Sequence, residues 1–228
     1  MATVKAIYEF INSVAPFDIQ EVFDNAGFLV GRKKQEVTRI LVALDITGEV
    51  AEEAARLGAE LIVAHHPVIF NPVKSVTDET LTGRVLLALA EQKIAAICAH
   101  TNLDAALGGV NDCLAEALEL MDVSQLCQEG VDAQGRPYGI GRVGTVRRPE
   151  LSAREYAAFV KEKLGSSNVR FVDGGRPVQR VAVGGGACGS MLEDVSAQGC
   201  DTFVTSDLKY NQFLDAKALG LNLLDAGH

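Results

Sequence analysis

Short apolar runs alternate with segments of helical periodicity along nearly the whole chain. The opening stretch MATVKAIYEFINSVAPFD sets acidic and polar residues among its apolar positions, which predicts an amphipathic helix rather than a secretory leader. RILVALD (39–45) has the length of a buried strand, and GEVAEEAARLG (48–58) follows with helical spacing and a glycine stop. ELIVAHH (60–66), a helix over 79–92, the strand IAAICAH (94–100) and the helical NDCLAEALEL (111–120) continue the alternation. Further on, GRVGTV, NVRFVD, RVAVGGG, DTFVTSD and LNLLDAGH read as strands. Helices are expected over LSAREYAAFVKEKLG, 190–199 and 209–219. Such alternation predicts an α/β fold with mostly parallel sheets covered by helices. Residues 122–140 are rich in Gly, Asp and Gln and lack either period, so they read as a connection between two lobes, 1–125 and 126–228.

The lobes look related. Residues 39–66 laid without a gap over 180–207 give six identities: Arg39/Arg180, Val42/Val183, Gly48/Gly189, Glu52/Glu193, Gly58/Gly199 and Val63/Val204. Chance at roughly 6% per position would give about two. The alignment sets His65-His66 against Ser206-Asp207, so both lobes offer polar groups at matching strand ends.

Composition narrows the function classes. A chain of 228 residues, 48% hydrophobic and 22% charged, has material for a full core, which excludes disorder by composition. Its net charge of −9 argues against binding long nucleic acid, and no apolar run approaches the ~18 residues of a membrane span. The five cysteines are odd in number and form no CxxC pair. They read as reduced, buried thiols of a cytoplasmic protein.

Only four histidines are present: His65, His66, His100 and His228. Each closes a predicted strand, and in open α/β sheets ligands bind beyond the carboxyl ends of strands. His65 and His66 would diverge along a regular strand, one inward and one outward. If the chain turns before Pro67, both rings can instead face one cavity and ligate a pair of ions. Asp104, in HTNLD ahead of Gly108-Gly109, is either a carboxylate bridging two cations or a cap of the next helix. His100 is a further ligand or a neighbour of the ligands. Asp45 could hold a substrate group or a ligand's second ring nitrogen, and Asp24-Asn25-Ala26-Gly27 reads first as a plain turn and otherwise as a loop lining the cavity. GGGACG (184–189) has the look of a phosphate cradle but lacks the GxGxxG spacing. Lys209 and Tyr210 read as ordinary first-turn helix residues. No Ser or Cys sits in a nucleophile arrangement, which favours activated water over covalent catalysis.

DNAGFLVG (24–31), LVALDIT (41–47), IVAHHPVIF (62–70), AHTNLDAALGGVND (99–112), VAVGGGACGS (181–190), TSDLKY (205–210) and LLDAGH (223–228) occur in this order. Together they resemble the NIF-three-like dinuclear metal-centre hexamer family, whose members are often named GTP cyclohydrolase 1 type 2. The resemblance covers essentially the whole chain. It implies two related α/β lobes with a metal pair in the cleft between them, and a homohexamer built as a trimer of dimers. The implied ligands are His65, His66, Asp104 and His228, with His100 as an additional ligand or close neighbour. Two divalent ions drawn from Zn, Fe, Mn, Co or Ni suit such a set. The short 122–140 connection implies no inserted domain. Two departures stand out. The family's last motif continues to a glutamate four residues past the final histidine, where this sequence ends at His228, and Asn211 stands where relatives often have histidine. The implied activity is hydrolysis, GTP ring opening by the family's name, with other nucleotides or phosphoesters equally compatible. The competing class is a non-catalytic metal-binding or regulatory assembly using the same ligands.

Overall fold

A computed structural model describes every residue of the chain except Pro149. The chain divides into two compact units, Met1–Leu103 and Asp104–His228. In the first unit, β1 (Ala2–Thr3) leads into α1 (Val4–Val14), whose first turn is capped by the Thr3 hydroxyl. Then come β2 (Gly27–Val30), β3 (Glu36–Val37), β4 (Ile40–Ala43), α2 (Gly48–Leu57), β5 (Leu61–Ala64), α3 (Leu81–Glu91) and β6 (Ala95–Cys98). β1 and β3 form a small antiparallel ladder. The main sheet runs β2-β6-β5-β4, with β4, β5 and β6 parallel and β2 antiparallel at one edge. Alternation along the strands sorts side chains to two faces. Ile62, Ala64, Ala96 and Cys98 pack with Ala51 and Ala54 of α2 and Leu89 of α3. Leu61, Ala95 and Ile97 face Val4, Ile7 and Ile11 of α1. The helix expected over 48–58 ends as its glycine predicts, with Gly58 in the left-handed region at φ +65°.

A short helix, α4 (Thr101–Ala105), spans the division between the units, and the second unit continues with α5 (Val110–Ala117) and β7 (Met121–Gln125). A small hairpin of β8 (Gly130–Val131) and β9 (Pro137–Tyr138) precedes β10 (Arg142–Thr145) and α6 (Ala153–Leu164), which carries a Ser152–Glu155 capping box. β11 (Arg170–Val172), β12 (Arg180–Val183), α7 (Leu192–Ala197), β13 (Thr202–Thr205), α8 (Tyr210–Ala218) and β14 (Asn222–Asp225) complete it. Its sheet runs β11-β14-β13-β12-β10-β7. Only β12/β13 and β13/β14 are parallel, while β10/β12, β10/β7 and β11/β14 are antiparallel. The mostly parallel expectation thus describes the first sheet and not the second. The stretch 122–140 is also more than a connection. It supplies most of β7 and a hairpin to the second unit, and the division falls before α5 rather than at 125/126. The buried Arg142 holds this region, bonding Asp112 of α5, Gln125 of β7 and the carbonyls of Ala106, Gly139 and Gly141.

The 141-residue offset read from the sequence reappears in the backbone. Ile40, Leu41 and Val42 pair with Leu61, Ile62 and Val63, while Val181, Ala182 and Val183 pair with Thr202, Phe203 and Val204. The side-chain locks correspond as well. Glu60 accepts from the backbone N–H groups of Thr38 and Arg39, as Asp201 does from those of Gln179 and Arg180. Arg39 reaches the carbonyl of Leu57 and Arg180 that of Gln198. The order β2-β6-β5-β4 matches β11-β14-β13-β12 strand for strand, with the same pairing directions.

Candidate metal centre

Three of the four histidines meet at the carboxyl ends of β5 and β6. The rings of His65 and His66 lie 5.0 Å apart between centroids, His65 and His100 5.1 Å, and His66 and His100 5.5 Å. Each can bring one ring nitrogen within 4.8 Å of the other two. The backbone explains how sequence neighbours converge. β5 ends at Ala64, and then His65 N–H donates to the carbonyl of Ala43 while His66 N–H donates to that of Leu44. Consecutive amides of a regular strand point to opposite sides. Here both point toward the β4 side, so the pleat is broken and the two imidazoles face one way.

Each ring is held through its Nδ1. His65 Nδ1 donates to the carbonyl of Ala99 at 2.8 Å, His66 Nδ1 to Asp45 at 2.8 Å, and His100 Nδ1 to Asp24 at 2.8 Å. A carbonyl or carboxylate oxygen can only accept, so these bonds place the proton on Nδ1 and the lone pair on Nε2. Asp45 does what its strand-end position suggested. Asp24 exceeds its reading as a turn residue. Its side chain has no exposed surface, and it also accepts from Asn25 N–H and from both the N–H and hydroxyl of Thr101. Burial alone would raise this carboxyl, but hydrogen bonds from His100, Thr101 and Asn25 prevail and bring it down to about 2. It therefore stays charged beside His100. No local signal marks Asp24 as a histidine partner, because 76 residues separate the two and only the fold joins them. Asn25 adds a strap from this loop to the carbonyl of Ile69.

The second unit carries the other two predicted ligands, Asp104 on α4 and His228 past the end of β14. His228 follows β14 and pairs through Nδ1 with Asp207, which follows β13. Asp207 is the residue that the internal alignment sets against His66, so the repeat was the signal for it. Asp104 is buried, at 8% exposure, and its backbone carbonyl accepts from Asn111 Nδ2. The fully buried Asn111 uses its Oδ1 to accept from Gly185 N–H at 2.8 Å. Asn111 thereby ties Asp104 to the glycine loop that ends β12. A Cβ on Gly185 would lie 3.0 Å from Val110, and a Cβ on Gly186 would lie 3.6 Å from the ring of His228. The glycines of GGGACG thus allow close backbone approach beside Asn111 and His228. Lys209 and Tyr210 sit at the start of α8 as expected of first-turn residues, with Tyr210 exposed.

The three imidazoles of the first unit fit a divalent transition ion. Two nitrogens bound to one Zn-sized ion lie at most about 4 Å apart, close to the span available here. The carboxylate and carbonyl partners on Nδ1 form the outer support that such ligands normally have.

Comparison with known proteins places the chain in a family. The family model Duf34/NIF3 (NGG1p interacting factor 3) matches residues 2–228. The chain belongs to the Duf34/NIF3 family. A Clostridium perfringens protein named GTP cyclohydrolase 1 type 2 homolog is 37% identical over 223 residues, covering 97% of this chain and 84% of that protein. A Helicobacter pylori protein named GTP cyclohydrolase 1 type 2 is 32% identical over 231 residues, covering 100% of this chain and 86% of its own length. Among solved structures, a Bacillus cereus protein related to NIF3 superposes with a TM-score of 0.93 at 26% identity, over 100% of this chain and 88% of that one. The two-lobed α/β fold of this chain is therefore the fold of the Duf34/NIF3 family. Among the described residues no helix is long and apolar enough to cross a membrane. Cys98 and Cys200 are buried, Cys127 and Cys188 half-buried and Cys113 exposed, so the expectation of buried thiols holds at two of the five and fails outright at Cys113.

Proposed function

We propose that this Duf34/NIF3 chain is a metal-dependent hydrolase that holds two divalent ions with His65, His66, His100, Asp104 and His228. The single observation that carries the reading is the convergence of three imidazoles whose Nδ1 atoms are all engaged as donors. Three imidazoles drawn this close, each anchored from behind by a carbonyl or carboxylate, suit a shared cation. Bound divalent ions lower the pKa of water and neutralise charge developing on a phosphoryl or carbonyl oxygen. The chain's own contribution is orientation. Asp24, Asp45 and Asp207 fix the tautomer and tilt of His100, His66 and His228. Asn111 fixes the backbone at Asp104.

The substrate class we assign is a nucleotide or phosphoester, GTP first, because two relatives carry the cyclohydrolase name. We further propose a cytoplasmic protein that assembles with copies of itself as a hexamer. Elemental analysis of protein purified without chelator tests the centre. About two ions per chain, lost in a His65→Ala/His66→Ala variant, are expected, and fewer than 0.2 ions per chain in the unaltered protein would refute it. Release of phosphate or of a ring-opened product from GTP by the metal-loaded protein then tests hydrolysis. Metal-loaded protein inert toward GTP, other nucleotides and aryl phosphates would leave a metal-binding assembly instead.

A further inference from the structure

The internal correspondence between the units exposes one place where they differ. In the second unit β12 has a strand on both sides, parallel β13 and antiparallel β10. Its counterpart β4 has β5 on one side and closes the row of its sheet on the other. The difference extends to the side chains. Val181 and Val183 are 0% exposed, whereas their counterparts Ile40 and Val42 are 43% and 76% exposed, with Leu44 at 52%. Three large aliphatic side chains on one face of an edge strand are what proteins normally avoid. Between Arg39 and Asp45 there is no lysine, proline or charge to blunt the edge.

The backbone is arranged to receive a partner. The carbonyls of Arg39 and Ala43 accept from Glu60 and His65, toward β5. Alternation along the strand then turns the N–H and C=O of Ile40 and Val42 to the open side, while the carbonyl of Leu44, past the end of β4, accepts from His66. The sequence of the edge is also self-complementary when reversed. RILVALD laid antiparallel on itself about Val42 sets Ile40 opposite Leu44, Leu41 opposite Ala43, and the exposed Arg39 opposite the exposed Asp45. Opposite charges meet at both ends and aliphatic pairs meet between them, the combination that stabilises antiparallel cross-strand pairs.

We propose that β4 is an assembly edge, pairing antiparallel with β4 of a second copy of this chain, with Val42 opposite Val42 at the two-fold axis. The added strand completes the backbone ladder of β4 as β10 completes that of β12. This rests on the self-association proposed above and not on hydrolysis; it meets the metal centre only at Asp45, one of whose oxygens accepts from His66 Nδ1. Because the register is symmetric, the contact is closed and joins chains in pairs.

Sedimentation velocity of the full chain, of Val42→Asp and of Val42→Cys tests it, with circular dichroism and metal content measured alongside. An unaltered chain that self-associates, a Val42→Asp form of half that mass, and a Val42→Cys form joined in pairs by a short bismaleimide are expected. The unaltered chain, carrying its own cysteines, serves as the linking control. Should Val42→Asp fail to fold, linking of Val42→Cys decides alone. A self-associated chain with no linking through Cys at 42 and no response to Val42→Asp would overturn the edge and leave self-association standing. A monomer at all concentrations would overturn both, without touching the metal reading.

Discussion

Replacing Asp24 by Asn tests whether the carboxylate behind His100 orders the metal centre. One carboxylate oxygen accepts from His100 Nδ1–H and Asn25 N–H, and the other from the N–H and hydroxyl of Thr101. An amide offers only one oxygen, so its NH2 must confront one of these donor pairs. The side chain has no exposed surface, so bulk water does not relieve the clash directly. The cost is one charge-assisted interaction lost and donors left facing a donor, about 1–3 kcal/mol of stability. Loss of an outer-shell partner typically weakens metal affinity 10- to 100-fold, about 1.4–2.8 kcal/mol. The Asp45–His66 pair provides an internal scale, because Asp45 is 54% exposed and water can substitute for it. Asp24→Asn is therefore expected near the upper end of that range and Asp45→Asn near the lower end. Isothermal titration with Zn or Mn of metal-stripped protein measures both, and thermal melts report the stability cost separately. Equal affinities for the two variants, or an Asp24→Asn affinity within twofold of the unaltered chain, would refute the reasoning.

Three further outcomes follow from other parts of the fold. Arg142→Met should destabilise the chain by about 3–5 kcal/mol in urea titration, because it strands Asp112 and three backbone carbonyls that the buried guanidinium now satisfies. Burial raises the Asp112 carboxyl, but the bonds from Arg142 and Gly108 N–H outweigh it and hold it below the ordinary 3.8. The unfolded chain therefore takes up this proton first, and the stability it contributes, full above that value, is lost as pH falls through the folded value. Asp112→Asn should flatten the acid limb of a stability–pH profile without abolishing it, since Asp24 titrates on the same side. Thiol labelling at neutral pH should modify Cys113 rapidly, while Cys98 and Cys200, both pushed up to about 11 by burial, react only on unfolding.

The sequence by itself determined the elements and the repeat. Apolar runs of strand length between helical periods located eight of the ten strands of the two sheets, all but β2 and β7, because burial on a pleated surface and on a helix face leaves different spacings. A glycine stop marked a helix end at Gly58, where local geometry alone decides. The six identities between 39–66 and 180–207 anticipated a shared strand register and pointed to Asp207. Pairing direction lay outside local reach. Whether a strand runs parallel or antiparallel to its neighbour depends on partners distant in sequence, so the antiparallel β7, β10 and β11 and the strand β7 within 122–140 were decided only by the tertiary structure. So was the convergence of His65 and His66, since a regular pleat would have parted them and it took two successive bonds toward β4 to break that pleat. Asp24 shows the same limit. Its role beside His100 comes from a loop folded against the end of β6, a contact that no local period or spacing encodes.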